Sequence, residues 1–118
     1  MEELAEIFAA LADATRLQIL SVINKQELCV CEIVNTLNMP QPKVSRHLKI
    51  LKNAGVVEDR REAQMVFYSV NKYNGLWENM GKALERVLAE KTLPEDAERL
   101  ENCLAKRVEG RCCPEVPR

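Results

Sequence analysis

Apolar residues recur along most of this chain at intervals of three and four, and in one stretch at intervals of two. Leu4, Ile7, Phe8 and Leu11 fall at i, i+3, i+4 and i+7, which is one face of an amphipathic helix. Asp13 is a natural cap for a second helix that carries Leu17, Leu20 and Ile23 inward. A short extended piece, Leu28-Cys29-Val30, leads into a third helix with Ile33, Val34 and Leu37 on its inner face. The breaker cluster Asn38-Met39-Pro40-Gln41-Pro42 separates it from a fourth helix, on which Val44, Leu48 and Leu51 point inward. Asn53-Ala54-Gly55 ends that helix, with Gly55 suited to the left-handed position past a helix terminus.

The period then changes. Val66, Tyr68 and Val70 alternate with Met65, Phe67 and Ser69, which predicts a strand, and Glu62-Ala63 reads as the tip of a hairpin with residues 56–61. Asn71 is placed to cap a long helix over 72–90 with Leu76, Met80, Leu84, Val87 and Leu88 on one face. Thr92-Leu93-Pro94 interrupts the chain, residues 95–108 form a last helix with Ala97, Leu100 and Leu104 inward, and 110–118 read as an irregular tail. Two short helices joined by a tight turn and followed by a basic hairpin make a winged helix-turn-helix, so the fold class is mainly α with a small β-hairpin wing. Residues 1–91 would form the winged domain with its dimerisation helices, and 92–118 a C-terminal helix and cysteine-containing tail. The long helix has more apolar surface than one small domain needs. With the first helix it predicts a two-fold homodimer, and its Met and Leu stripe carries no sign of a cofactor site.

Charge sharpens this picture. The 118 residues hold 17 basic and 18 acidic side chains, a net of −1, which excludes a uniformly cationic coat. Residues 41–61, however, contain Lys43, Arg46, Lys49, Lys52, Arg60 and Arg61 against Glu58 and Asp59 alone, a local balance of +4 on a body of −5. Gln41, Lys43, Ser45, Arg46, His47 and Lys49 fall on the first turns of the fourth helix, where a recognition helix faces the major groove. Gln reads adenine and Arg reads guanine bidentately, while Lys and Ser hold phosphates. His47 has packing in the core as its other reading. Arg60 and Arg61 suit phosphate or minor-groove contact from the wing. The partner these features imply is double-stranded operator DNA.

No apolar run approaches the roughly 20 residues that span a bilayer, and the acidic start Met1-Glu2-Glu3-Leu4 is unlike a secretory signal. Five cysteines, an odd number, argue against a disulfide scaffold and for reduced thiols in the cytoplasm. A single histidine, His47, limits histidine-dependent catalysis and histidine-rich zinc sites. Cys29-Val30-Cys31 is not the C-x-x-C of thioredoxin-like redox sites, and no phosphate loop, Ser–His–Asp set or carboxylate pair points to an enzyme.

The Cys29-Val30-Cys31-Glu32 stretch is the strongest chemical signal. Cys31 reads as the residue that opens the third helix, where Ser, Thr, Asp or Asn is favoured, and a local rule broken at one place marks a functional site. The helix dipole there favours a thiolate on Cys31. Two thiols two residues apart diverge on a helix and converge on an extended chain. A soft ion bridging Cys29 and Cys31 would then unwind the helix start. Thiolates select soft ions over magnesium or calcium, and zinc would want four N/S ligands.

From Phe8 to about Val70 the chain resembles the ArsR/SmtB family of metal-responsive bacterial repressors. The matching text is Leu11-Ala12-Asp13-Ala14-Thr15-Arg16-Leu17-Gln18-Ile19-Leu20, then Glu27-Leu28-Cys29-Val30-Cys31-Glu32-Ile33. It continues through Gln41-Pro42-Lys43-Val44-Ser45-Arg46-His47-Leu48-Lys49-Ile50-Leu51 and Ala54-Gly55-Val56-Val57. Glu-Leu-Cys-Val-Cys is similar to the arsenite- and antimonite-responsive members. The resemblance implies a dimeric repressor that needs no cofactor to bind DNA. Trivalent arsenic or antimony at Cys29 and Cys31 would release it from its operator. The best-known arsenite members carry a third cysteine where this chain has Val34. A third sulfur would come from Cys112 or Cys113, beside Arg111 in the tail, while Cys103 lies on the apolar face and reads as core. Cadmium, lead or thiol oxidation are the alternative signals for the same fold.

Overall fold

The computed structural model describes residues 1–72 and 75–107, without the side chains of 75–78 and 80. The tail over 110–118 with Cys112 and Cys113 therefore lies outside the described residues, as do the side chains of Leu76 and Met80 in the apolar stripe. Helices α1 (Glu2–Leu11) and α2 (Ala14–Ile23) are followed by strand β1 (Leu28–Cys29) and helices α3 (Val30–Leu37) and α4 (Gln41–Asn53). Strands β2 (Val57–Glu62) and β3 (Met65–Val70) then precede α5 (Gly75–Lys91) and α6 (Pro94–Ala105). This is the winged helix-turn-helix order, with α3 and α4 as the paired helices and β2–β3 as the wing.

Local chemistry explains most boundaries. Asp13 caps α2, its carboxylate accepting from the Arg16 backbone N–H at 3.2 Å. Asn38 takes the left-handed conformation after α3 (φ 57°, ψ 48°), which a short polar side chain tolerates, and this folds the chain back within three residues. Pro40 and Pro42 do not delay α4, since the first turn has no intrahelical N–H to lose there. Gly55 has φ 80°, as expected past the end of α4.

Ile19, Leu20, Val22, Leu28, Ile33, Val44, Leu48 and Leu51 are wholly buried and form the centre of one core, joined by Val70, Leu88 and Leu100. The first helix behaves differently from its pattern. Ile7 and Ala10 are buried, but Leu4 and Phe8 stay 40% and 47% exposed. Leu17, expected to point inward from α2 with Leu20 and Ile23, is instead 36% exposed, because it faces α5 across an open groove; Val87 on α5 and Leu93 before α6 are similarly uncovered. Leu17, Leu84, Val87, Leu88 and Leu93 line an apolar groove of about 370 Å³ between α2 and α5.

Four expectations need correction. The wing is part of a three-stranded antiparallel sheet, β1-β3-β2, because Leu28 and Cys29 pair with Tyr68 and Phe67. The hairpin tip is Ala63-Gln64, since Glu62 still pairs with Met65, and Ala63 takes the positive φ of 57°. Asn71 does not open α5, which starts at Gly75; its amide instead donates to the Gly55 carbonyl at 3.2 Å. The residue capping α3 is Cys29, not Cys31. Its backbone is extended (φ −83°, ψ 168°), and Glu32 stands three residues on to complete the reciprocal cap.

Candidate functional site

Placing the cap at Cys29 changes the geometry of the thiols. Cys29 is still extended while Cys31 lies in the first turn of α3, so the two side chains converge without unwinding any helix. Their sulfurs are 3.0 Å apart. The expectation that a bridging ion must open the helix start is therefore corrected: the pair is already on one side of the chain. Cys29 is buried and Cys31 half-buried, so the pair meets solvent on the Cys31 side. The hydrogen bond to Cys31 and then burial raise the Cys29 thiol far above the usual thiol range, against the lowering effect of the Glu32 backbone N–H.

The sequence reading missed the groups that hold this site. Glu32 is completely buried, and its carboxylate accepts from the Cys29 backbone N–H at 2.9 Å. The same carboxylate accepts from Arg107 Nε at 2.6 Å and Nη2 at 2.7 Å, a bidentate pair spanning 75 positions. Arg107 Nη2 also donates to the Glu27 carbonyl at 2.7 Å. At the other end of α3, Arg99 Nε donates to the Thr36 carbonyl at 2.7 Å and Nη2 to buried Asp96 at 3.0 Å. Helix α6 therefore lies antiparallel along α3, tied at both ends by arginine. The spacing of Cys29 and Glu32 in a cap-and-third-residue pattern was the one local signal for Glu32. Cys103 is buried on α6, as its place on the apolar face implied.

Helix α4 presents the second candidate surface. Val44, Leu48 and Leu51 anchor it in the core, which turns Gln41, Ser45, Arg46 and Lys49 outward with Lys43 at the margin. His47 is placed otherwise. Its side chain is only 14% exposed, with Nδ1 3.2 Å from Arg16 Nη1 and 3.7 Å from the Asp13 carboxylate. It joins the start of α2 to α4, and burial, aided by Arg16, Arg46 and Lys43, lowers its pKa despite Asp13. On the wing, Arg61 is exposed. Arg60 folds back instead: Nη2 and Nε donate to the Glu27 carboxylate at 2.8 and 2.9 Å, Nη1 donates to Glu62, and the guanidinium lies 4.9 Å from the centre of the Phe67 ring. No helix of the described residues is long and apolar enough to cross a membrane.

Known proteins share this arrangement. Residues 13–59, which hold α2, the thiol pair, α3, α4 and the start of the wing, match the profile described as the bacterial regulatory protein arsR family. The arsenic resistance transcriptional regulator ArsR2 of Pseudomonas putida is 35% identical over 109 residues, covering 92% of this chain and 95% of its own. The cadmium resistance regulatory protein CadC homolog of Staphylococcus aureus is 39% identical over 70 residues, 58% of each chain. Among solved structures, the homodimeric winged helix-turn-helix DNA-binding domain Mb0332 of Mycobacterium bovis superposes with a TM-score of 0.60 at 25% identity. That match covers 92% of this chain and 86% of that one. The thiol-bearing α3, the basic α4 and the extent of the likeness to ArsR2 lead to one conclusion: this chain belongs to the ArsR family of winged helix-turn-helix transcriptional repressors, which bind DNA and are not enzymes.

Proposed function

We propose that this repressor senses trivalent arsenic or antimony through Cys29 and Cys31 and leaves its operator when the ion is bound. The observation that carries the reading is the 3.0 Å approach of the two sulfurs at the start of α3, the helix that a tight turn joins to the recognition helix. The site is already gathered, so an ion meets two soft ligands without reorganising the backbone. With arsenous acid, each As–S bond replaces an As–OH bond, and each thiol proton leaves with that hydroxyl as water, so no oxidant or reductant is needed.

Operator recognition is assigned to Gln41, Lys43, Ser45, Arg46 and Lys49 of α4 with Arg61 of the wing, and His47 acts by holding α4 against Asp13 and Arg16. A second copy of the chain covers Leu4, Phe8, Val87 and the α2–α5 groove, giving a homodimer that reads a pseudo-palindromic operator from the cytoplasm. The homodimeric state of the Mycobacterium bovis relative supports this. Since Val34 carries no sulfur, a third ligand is assigned to Cys112 or Cys113. X-ray absorption at the arsenic edge tests that assignment: three sulfurs in the full chain and two after truncation past Val108 support it, and an unchanged number removes the tail from the site.

The testing experiment is an operator-binding titration with arsenite, antimonite, cadmium, lead, zinc and peroxide in parallel. Release at low micromolar arsenite or antimonite, with zinc inert, is the expected result. Release by cadmium and lead alone, or by peroxide alone, would assign the same thiols to a different signal.

A further inference from the structure

The register of the sheet places a thiol and a wing arginine in one row. Cys29 of β1 pairs with Phe67 of β3, and Phe67 pairs on its other side with Arg60 of β2. Directly opposed residues of antiparallel strands share a face, so Cys29, Phe67 and Arg60 lie side by side across three strands, roughly 10 Å from end to end. The row is closed on itself. Arg60 stacks on Phe67, and its guanidinium is held by the carboxylate of Glu27, two residues before Cys29. The Glu27 carbonyl is in turn held by Arg107, which also grips Glu32 at the start of α3.

The wing therefore carries an arginine whose guanidinium is shared between Glu62 of the wing itself, through Nη1, and Glu27 of the segment that leads into the thiol pair, through Nε and Nη2. That hold is a loose one. Arg60 is 51% exposed and the Glu27 side chain 31%, and ion pairs in such surroundings are readily exchanged for another anion. A DNA phosphate reaching the wing is such an anion. Phe67 and Glu32 are buried, by contrast, so a displacement of Cys29 passes into Phe67 rather than into solvent.

We propose that Arg60 is a phosphate-contacting residue under the control of the thiol pair, held by Glu27 off DNA, transferred to a backbone phosphate on the operator, and returned to Glu27 when an ion fills Cys29 and Cys31. The inference rests on the metalloid reading for its last step only. It assigns to Glu27 a positioning role, competing with DNA for the arginine, and to the β1–β3–β2 row the path from sulfur to wing.

Glu27→Gln keeps the side chain's size and removes its charge, and Arg60→Gln does the same for its partner. With inducer absent, the Glu27→Gln protein should bind operator more tightly. Its log affinity should fall with log salt about as steeply as the wild type's, since Arg60 meets the phosphate in both, whereas Arg60→Gln alone should lower that slope by about 0.9. Adding Arg60→Gln to Glu27→Gln should cancel the gain in affinity. With arsenite, the thiolate–arsenic absorbance of Glu27→Gln should titrate at the wild-type concentration. The factor by which arsenite weakens operator binding should nevertheless shrink by about threefold, the contribution of an exposed ion pair. A Glu27→Gln protein that binds operator no more tightly than the wild type would overturn the hold on Arg60 whatever the inducer is, and an unchanged salt slope for Arg60→Gln would overturn its phosphate contact. An undiminished arsenite factor would overturn the path from sulfur to wing. Failure of arsenite to release the wild type would count against the metalloid reading, while the inducer-free operator affinity of Glu27→Gln still decides the role of Glu27.

Discussion

Helices α3 and α4 are joined by one short turn, and the first turns of both lack the oxygen cap that helices favour. Cys29 opens α3 and Pro40 opens α4. They are otherwise opposites. The start of α3 is buried, with a carboxylate at 0% exposure, a bidentate arginine from α6 and two sulfurs in contact. The start of α4 is open, with Gln41, Ser45 and Arg46 in solvent and no acidic residue in its first turn. The difference teaches how one motif divides its work. On the proposed reading, the ion-sensing site gains from enclosure, because low local polarity and fixed partners make its state felt by the backbone. A surface that must meet a polyanion gains from exposure and unneutralised charge.

Breaking the enclosed side should have the largest effect. Glu32→Ala leaves Arg107 without its carboxylate and the Cys29 N–H without its acceptor, and loss of one partner of a buried ion pair costs about 3–5 kcal/mol. Urea unfolding is the measurement. A loss comparable to that of an exposed pair would show that the α3–α6 tie is ornamental. Arg46→Ala, on the open side, should leave the urea midpoint nearly unchanged while weakening operator binding. If Arg46 reads a base, the loss is about 1–3 kcal/mol and relaxes specificity at one position. If it holds a phosphate, the loss is uniform across sequences and lowers the salt slope.

A smaller effect should appear in the pH dependence, through the residue that joins α4 to the body. Burial lowers the folded-state pKa of His47 below its ordinary 6.5. The unfolded chain then binds the proton more readily, so this group's contribution to stability is present above about pH 6.5 and is lost as pH falls through that value and toward the lower folded-state pKa. His47→Gln should flatten the wild-type decline in stability over that acid range, followed by thermal unfolding. An identical decline in the variant would place the titration elsewhere.

How much of this was legible before the structure depends on sequence distance. The periods of α2, α3 and α4 follow from residues three and four apart, and Val44, Leu48 and Leu51 are buried as their spacing implies. The two-residue strand β1 has no period to read, so its pairing with Phe67 and Tyr68, and with it the link from thiol to wing, stayed hidden. Arg107 was invisible for the same reason on a larger scale: its carboxylate lies 75 positions earlier. On α1, the pattern of Leu4, Ile7, Phe8 and Leu11 correctly marked a helix, yet half of that stripe faces away from this chain's core. Periodicity reports that a face is apolar and leaves open which surface covers it. For Cys29 and Cys31 the closeness of two thiols to a helix start was visible in the sequence, and their geometry was not. The position of a cap by two residues decides whether two thiols diverge or meet.

The central claim is that the gathered thiol pair makes this repressor responsive to a metalloid, and it is tested most directly by fluorescence anisotropy of labelled operator during arsenite titration. The wild type should be compared with Cys29→Ser and Cys31→Ser. A hydroxyl retains the size and hydrogen bonding of the thiol, and at Cys29 it is the better helix cap, so both variants should bind operator as the wild type does. The account predicts that arsenite releases the wild type and leaves both variants bound. Release of either variant at the wild-type arsenite concentration would contradict it.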